Sequence, residues 1–274
     1  MVDTPPPPAG CLTRDVIKLS GEDTSSLLQG LLTCNVEDLA PGMMRHGALL
    51  TPQGKIIDTM MLSQGADALY LDVATGRGEG LRKKLMLYRL RAKVDIADAT
   101  TDLTVGVGEA PEAAFMSAAD PRLDALGPRW LSPAAETDAL PNVDGQFALH
   151  ERSHGVPAFG DAFGETDVFP LDVNLDALHG IDHKKGCFVG QEVASRMFRK
   201  GEIRKRTWIV VGDGLEKDAS LTIDGTTVGT VLCSDGQNAL AMVRLDRLKA
   251  KDGLPVTGPD GRPATLHEPE YLNR

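Results

Sequence analysis

The chain has 274 residues, a formal net charge of −10 and 4% aromatic residues. Its length exceeds the usual size of one domain, so two or three packed units with largely aliphatic cores are expected. The acidity argues against a general nucleic-acid binder and against direct DNA contact. No apolar run approaches the ~20 residues of a membrane helix, so no membrane partner is expected.

Met1 to Gly10 holds four consecutive prolines and no arginine. It reads as a short extended tail rather than a targeting peptide, which points to a bacterial-type cytoplasm. Residues 12–19 predict a strand, and Ser20-Gly21-Glu22-Asp23 opens a helix carrying Leu27, Leu28 and Leu31, with Ser20 or Asp23 as N-cap. Residues 45–62 predict two strands around a Pro/Gly turn, and residues 68–73 a third. Gly76 to Gly80 has neither dinucleotide-loop spacing nor a Walker lysine, and reads as a turn before a helix. Leu81, Leu85 and Tyr88 share one face of that helix. From Leu90 to Ile96, apolar residues alternate with Arg91, Lys93 and Asp95, which predicts a half-buried strand.

Leu103 to Val107 predicts another strand, and the Ala/Pro-rich stretch up to Pro141 a small, loosely organised subdomain. Beyond Arg206, short strands and the hairpin signal Asp224-Gly225 predict a small antiparallel barrel. Strands and helices mixed in this order predict an α+β protein rather than a doubly wound sheet.

The four cysteines, Cys11, Cys34, Cys187 and Cys233, lie far apart, with no Cys-x-x-Cys pair or zinc spacing. Neither a metal site, a cluster built from local cysteine ligands, nor a disulfide is therefore expected. Cys187 stands in the most informative segment, Lys184-Lys185-Gly186-Cys187-Phe188-Val189-Gly190-Gln191-Glu192. A thiol reacts or ligates as the thiolate, which neighbouring cations or a helix N-terminus favour. Gly186 and Gly190 permit a tight turn and the close approach of a ligand. The residues from Gln191 predict a helix in which Glu192 suits the first turn and can pair with Arg196. The same pattern also suits an inert free cysteine before a helix. His154, His179 and His183 have no ligand spacing with the cysteine and read as surface or capping residues.

Lys185 to Glu192 resembles the K-G-C-[FY]-x-G-Q-E signature of the YgfZ-type folate-binding proteins, relatives of the glycine-cleavage T-protein (aminomethyltransferase). Leu28 to Val36, Ala48 to Lys55, Arg152 to Gly160, and Pro170 with Asn174-Leu175 are similar to further segments of that family in the same order, over roughly residues 15 to 248. The resemblance implies a three-part T-protein-like α+β fold: a split α+β domain (10–98 and 146–203), an inserted smaller subdomain (99–145) and a C-terminal antiparallel β-barrel (204–270).

It also implies tetrahydrofolate or a derivative as ligand. The function implied is assembly or repair of iron–sulfur proteins, radical-SAM tRNA-modifying enzymes among them, through transient contacts of a monomer without its own turnover. On this reading Cys187 and Lys185 are the reactive pair. Asp58, Arg152, Gly186, Gly190, Gln191 and Glu192 surround the folate. T-proteins carry an Asp-Asp pair where this chain has Asp58 alone, which puts aminomethyl transfer in doubt. Alternatives are a folate-dependent aminomethyl- or methyltransferase and a non-catalytic scaffold. Two basic runs, 82–93 and 196–206, are either solvated faces or anion-attracting surfaces for a folate tail or an acidic or RNA-bound partner.

Overall fold

The computed structural model describes residues 7–199, 203–248 and 253–273. Lys200 of the second basic run and the first six residues of the proline tail lie outside them. Two sheets, a helical connection and a closed barrel follow one another along the chain.

The first sheet is antiparallel. Strands β2 (Arg14–Ser20), β3 (Met44–Leu50), β4 (Ile56–Gln64), β5 (Leu69–Ala74) and β6 (Asp95–Asp98) lie in the order β3-β4-β5-β2-β6. Helix α1 (Thr24–Leu31) follows β2, and α2 (Gly78–Arg89) links β5 to β6. Leu28, Leu31, Leu81 and Leu85 from these helices pack with Ile17, Leu19, Met60, Leu62 and Leu71 of the strands in one core. Residues on both faces of β4 are buried, because the second sheet covers the face opposite the helices.

That second sheet runs β1-β7-β9-β8, with β1 at Gly10–Leu12, β7 at Leu103–Val107, β8 at Met116–Ala119 and β9 at Pro128–Pro133. Val105, Met116 and Leu131 pack through it against Val16, Met44 and Met61 of the first sheet.

The structure corrects three expectations. Residues 12–19 are not one strand: β1 pairs with β7 and β2 with β5, so the chain changes sheets at Thr13. The Ala/Pro-rich stretch after Val107 up to Pro141 is not loosely organised. Trp130 is fully buried, its ring lies against the site where Gly106 lacks a side chain, and β9 pairs on both sides. The alternation expected from Leu90 to Ile96 holds in burial from Ala92 onward, but Leu90 is 86% exposed and the strand begins only at Asp95.

After α3 (Asp144–Ser153) a long connection leads to α4 (Gln191–Arg199) and then to the barrel. The barrel comprises β10 (Lys205–Gly212), β11 (Ser220–Ile223), β12 (Thr226–Ser234), β13 (Asn238–Arg244), β14 (Leu254–Thr257) and β15 (Pro263–His267), and β10 closes on β15. Asp224 and Gly225 both take positive φ (49° and 75°), as a two-residue turn between twisted strands requires. A shared core joins Phe188 and Ala194 of the cysteine segment to Leu50 and Ile56 of the β3–β4 hairpin and to Ile209 and Leu240 of the barrel. The fold is thus α+β with a closed six-stranded C-terminal barrel.

Candidate functional site: a clamped thiol loop and an internal cavity

The loop that carries Cys187 is held from below by Lys185. The last carbonyls of an α-helix have no partner within the helix, and here the Lys185 ammonium takes that role for α1. Its Nζ donates to the carbonyls of Gln29, Leu32 and Cys34 at 2.7, 2.6 and 2.7 Å. The side chain is buried, and its cation sits where the helix dipole is negative. The phenyl ring of Phe188 adds a cation–π contact at 5.3 Å. All three ammonium protons are engaged by backbone carbonyls, which gives Lys185 a structural role in fixing the loop.

Further bonds fix the same seam. Asp182 Oδ1 accepts the amides of Lys184 and Lys185 at 2.7 and 3.2 Å. The Asp182 amide donates to the Thr33 carbonyl, and that of Val189 to the Gly30 carbonyl. Cys187 itself is exposed.

The two motif glycines differ in purpose. Gly190 has φ +80°, and a Cβ there would stand 2.5 Å from the Thr51 carbonyl oxygen and 2.9 Å from Leu50. Its backbone packs directly on the β3–β4 hairpin, where Gly54 (φ +83°) in turn accommodates Val193 of α4. Gly186 has no atom within 4 Å of its would-be Cβ, so neighbouring atoms do not require a glycine there. Gln191 begins α4, its amide bonded to the Phe188 carbonyl, and Glu192 lies exposed in the first turn. No ion pair joins Glu192 to Arg196 among the described residues. His183 instead stacks on Phe198 with ring centroids 3.7 Å apart, which ties α4 back to the loop.

A separate cavity of about 150 Å³ opens between the two sheets and α3. Arg14, Arg122, Arg129, His46, Asp144 and Glu151 supply its polar lining, and Phe147, Phe159 and Phe163 its aromatic lining. Ion pairs lock the arginines. Arg14 and Arg129 share the buried carboxylate of Asp72, and Arg122 bridges Asp120 and Glu151 with contacts of 2.7 and 2.6 Å. Although burial opposes ionisation, these arginines hold the Asp72 and Asp120 carboxyls below the usual carboxylate range. His46 lies fully enclosed with Nδ1 3.1 Å from the Leu178 carbonyl, and burial drives its pKa down to about 4, so the ring is neutral with its proton on Nδ1.

None of the expected site residues lines this cavity, although Pro157, Ala158 and Phe159 of the Arg152–Gly160 segment and Leu175 do. Cys187 is not beside it but on the outer surface. Asp58 is buried on β4, and both its oxygens bond to Arg77 at 2.8 and 3.0 Å. Burial raises the Asp58 carboxyl and Arg77 offsets that rise. Arg77 also reaches Glu165 at 2.8 Å and lies over the Phe159 ring, so the Asp58 carboxylate anchors the start of α2 rather than facing a pterin. Arg152 is buried in contact with Asp161 (3.0 Å), near Asp235 and the thiol of Cys233, which burial pushes up to about 12. It joins α3 to the barrel.

Sequence reasoning missed Arg14, Arg122, Arg129 and His46. Arg129 carries the one available signal, a charged residue inside the strand Arg129-Trp130-Leu131. Among the described residues, no group of three or more His, Cys, Asp or Glu could hold a metal ion, and no helix is long and apolar enough to cross a membrane.

This architecture is the fold of the aminomethyltransferase T proteins. The solved structure of glycine cleavage system aminomethyltransferase T from Bartonella henselae superposes with a TM-score of 0.72, covering 97% of this chain and 87% of that one at 14% identity. Sequence relatives carry a different name. Residues 204–274 match the family described as CAF17, C-terminal beta-barrel domain. The chain is similar to the mitochondrial iron–sulfur cluster assembly factor IBA57 homolog of Mycosarcoma maydis, with 32% identity over 70% of this chain and 54% of that protein. It is likewise similar to the homolog of Coccidioides immitis, with 30% identity over 74% of this chain and 56% of that protein. The chain thus spans about half the length of these curated relatives.

Proposed function

We propose that this protein is an accessory factor in iron–sulfur protein assembly or repair. Cys187 would be the group it offers to a partner, and the internal cavity would take the ring end of a folate. The observation that carries the reading is the separation of the two sites. An exposed thiol sits on a loop fixed by the Lys185 ammonium, apart from the residues that line the cavity. A thiol so placed meets macromolecular partners more readily than a small substrate inside the fold. The names of the relatives support iron–sulfur proteins as those partners.

The cavity residues suit a folate ring. Phe147, Phe159 and Phe163 offer apolar faces, the Glu151 carboxylate suits an amino-pyrimidine edge, and Arg14 at 24% exposure suits the anionic tail. A void of about 150 Å³ falls below the ~300 Å³ at which pockets begin to enclose a drug-sized ligand. The ring end alone would lie inside.

Arg77 occupies both Asp58 oxygens, which disfavours the aminomethyl- or methyltransferase alternative in which that carboxylate activates the one-carbon group. Two experiments test the reading. Calorimetric titration with tetrahydrofolate should give saturable heat in the wild type and much weaker binding in Glu151→Gln. Cys187→Ala should fold normally yet lower cluster-dependent enzyme activities in cells, including those of radical-SAM tRNA-modifying enzymes. Wild-type activities in the Cys187→Ala strain would refute the role of the thiol. Absence of heat would leave a scaffold without a folate.

A further inference from the structure

The C-terminal end of α2 carries large apolar side chains in solvent. Leu87 and Leu90 are 76% and 86% exposed, and Met86 and Tyr88 are 44% and 37% exposed. The opposite face of the helix is satisfied, since Leu81 and Leu85 are fully buried against the first sheet. Met86 and Leu87 stand four and three residues before Leu90, so the three lie together on the outer face.

Leu90 is also conformationally unusual. It closes the helix with φ 47° and ψ −105°, at a place where glycine commonly takes the positive φ because a Cβ is unfavourable there. A leucine at this point strains the backbone and also leaves its side chain in water.

The surroundings are cationic, in contrast to the chain's net charge of −10. Residues 77–93 contain seven lysines and arginines and one carboxylate, Glu79. Arg77 and Lys84 turn inward to Asp58 and Glu165. Lys83 pairs with Glu79, and Lys93 with Glu22. Arg89 holds the Val94 carbonyl, Arg82 lies 4.0 Å from the Met86 sulfur, and Arg91 is exposed. Arg82, Arg89 and Arg91 are thus the cations beside the apolar tip for which no carboxylate ion pair forms among the described residues, with Asp98 of β6 acting on Arg82 at longer range.

We propose that this tip docks the protein peripherally on an anionic lipid surface. Protruding leucines beside cations fit a headgroup layer, in which apolar side chains reach the acyl boundary while Arg and Lys meet phosphates. The remainder of the molecule carries a net negative charge, so contact is confined to its basic faces, of which this one bears the exposed leucines. One small element of this kind gives weak, reversible association. The proposal departs from the expectation of no membrane partner, which rested on the lack of a spanning segment and does not bear on surface docking.

The test is cosedimentation of the full chain with phosphatidylcholine vesicles containing about one-third phosphatidylserine. Binding is expected at low salt and should fall about tenfold on raising salt to ~0.5 M. A similar loss is expected in Leu87→Gln/Leu90→Gly. Leu90→Gly alone should unfold at the same or a higher denaturant concentration than the wild type, which separates lost docking from lost folding. Three outcomes overturn the proposal: no binding to the anionic vesicles at low salt, equal binding by wild type and double variant, or a concentration-dependent dimer that the double substitution abolishes. The last would assign the tip to a second copy of the chain.

Discussion

Lys185→Met would replace the ammonium that holds the cysteine loop to α1 with an apolar side chain of similar length. Three hydrogen bonds disappear, each from a charged donor to a backbone carbonyl, and such bonds contribute about 1.5–3 kcal/mol apiece. Part of that sum is returned because no charge is then desolvated in a buried site. A net loss of about 3–4 kcal/mol results, a large fraction of the 5–15 kcal/mol that typically separates folded from unfolded protein. Urea unfolding read by the fluorescence of the buried Trp130 and Trp208 measures it. Cys187→Ser is the internal comparison: its side chain is exposed, so its midpoint should stay within about 0.5 kcal/mol of wild type. A Lys185→Met loss under about 1 kcal/mol would refute the structural assignment, as would rapid labelling of Lys185 by an amine reagent in the folded protein.

Gly190→Ala should cost about 2 kcal/mol or more, because its φ of +80° and the Thr51 carbonyl both oppose a Cβ, whereas Gly186→Ala should be nearly neutral. Paired denaturation curves compare the two. The neutral His46 makes stability depend on acid. Its folded pKa of about 4 lies below the ordinary 6.5, so the unfolded chain binds the extra proton between those values. Stability is therefore fully present above about pH 6.5 and declines by up to about 3 kcal/mol as pH falls toward 4. Unfolding free energies across that range should flatten in His46→Gln. Asp58→Asn should lower stability by about 1–3 kcal/mol through its broken bond to Arg77, with tetrahydrofolate affinity changed little, and calorimetry at fixed pH distinguishes the two effects.

The legibility of the sequence varied with the range of the interactions concerned. The β3–β4 hairpin, α2 and the Asp224-Gly225 turn follow from local pattern and turn chemistry, which act between residues a few positions apart. The alternation from Ala92 to Ile96 does mark alternate burial, but it does not locate the strand's start at Asp95, and Leu90 points to water. The motif does not reveal the partners of Lys185, since the carbonyls it serves lie more than 150 residues earlier in the chain.

By itself the sequence determined an α+β protein ending in a small barrel, a solitary thiol between two glycines, and a resemblance to T-protein relatives. These rest on spacing and residue type, which the chain carries locally. Only the tertiary structure decided that Cys187 lies outside, that Asp58 and Arg152 are tied to Arg77 and Asp161, and that Arg14, Arg122 and Arg129 meet around a cavity. A buried charge is stable only where distant strands bring it a counter-charge, and no linear pattern records which strands those will be.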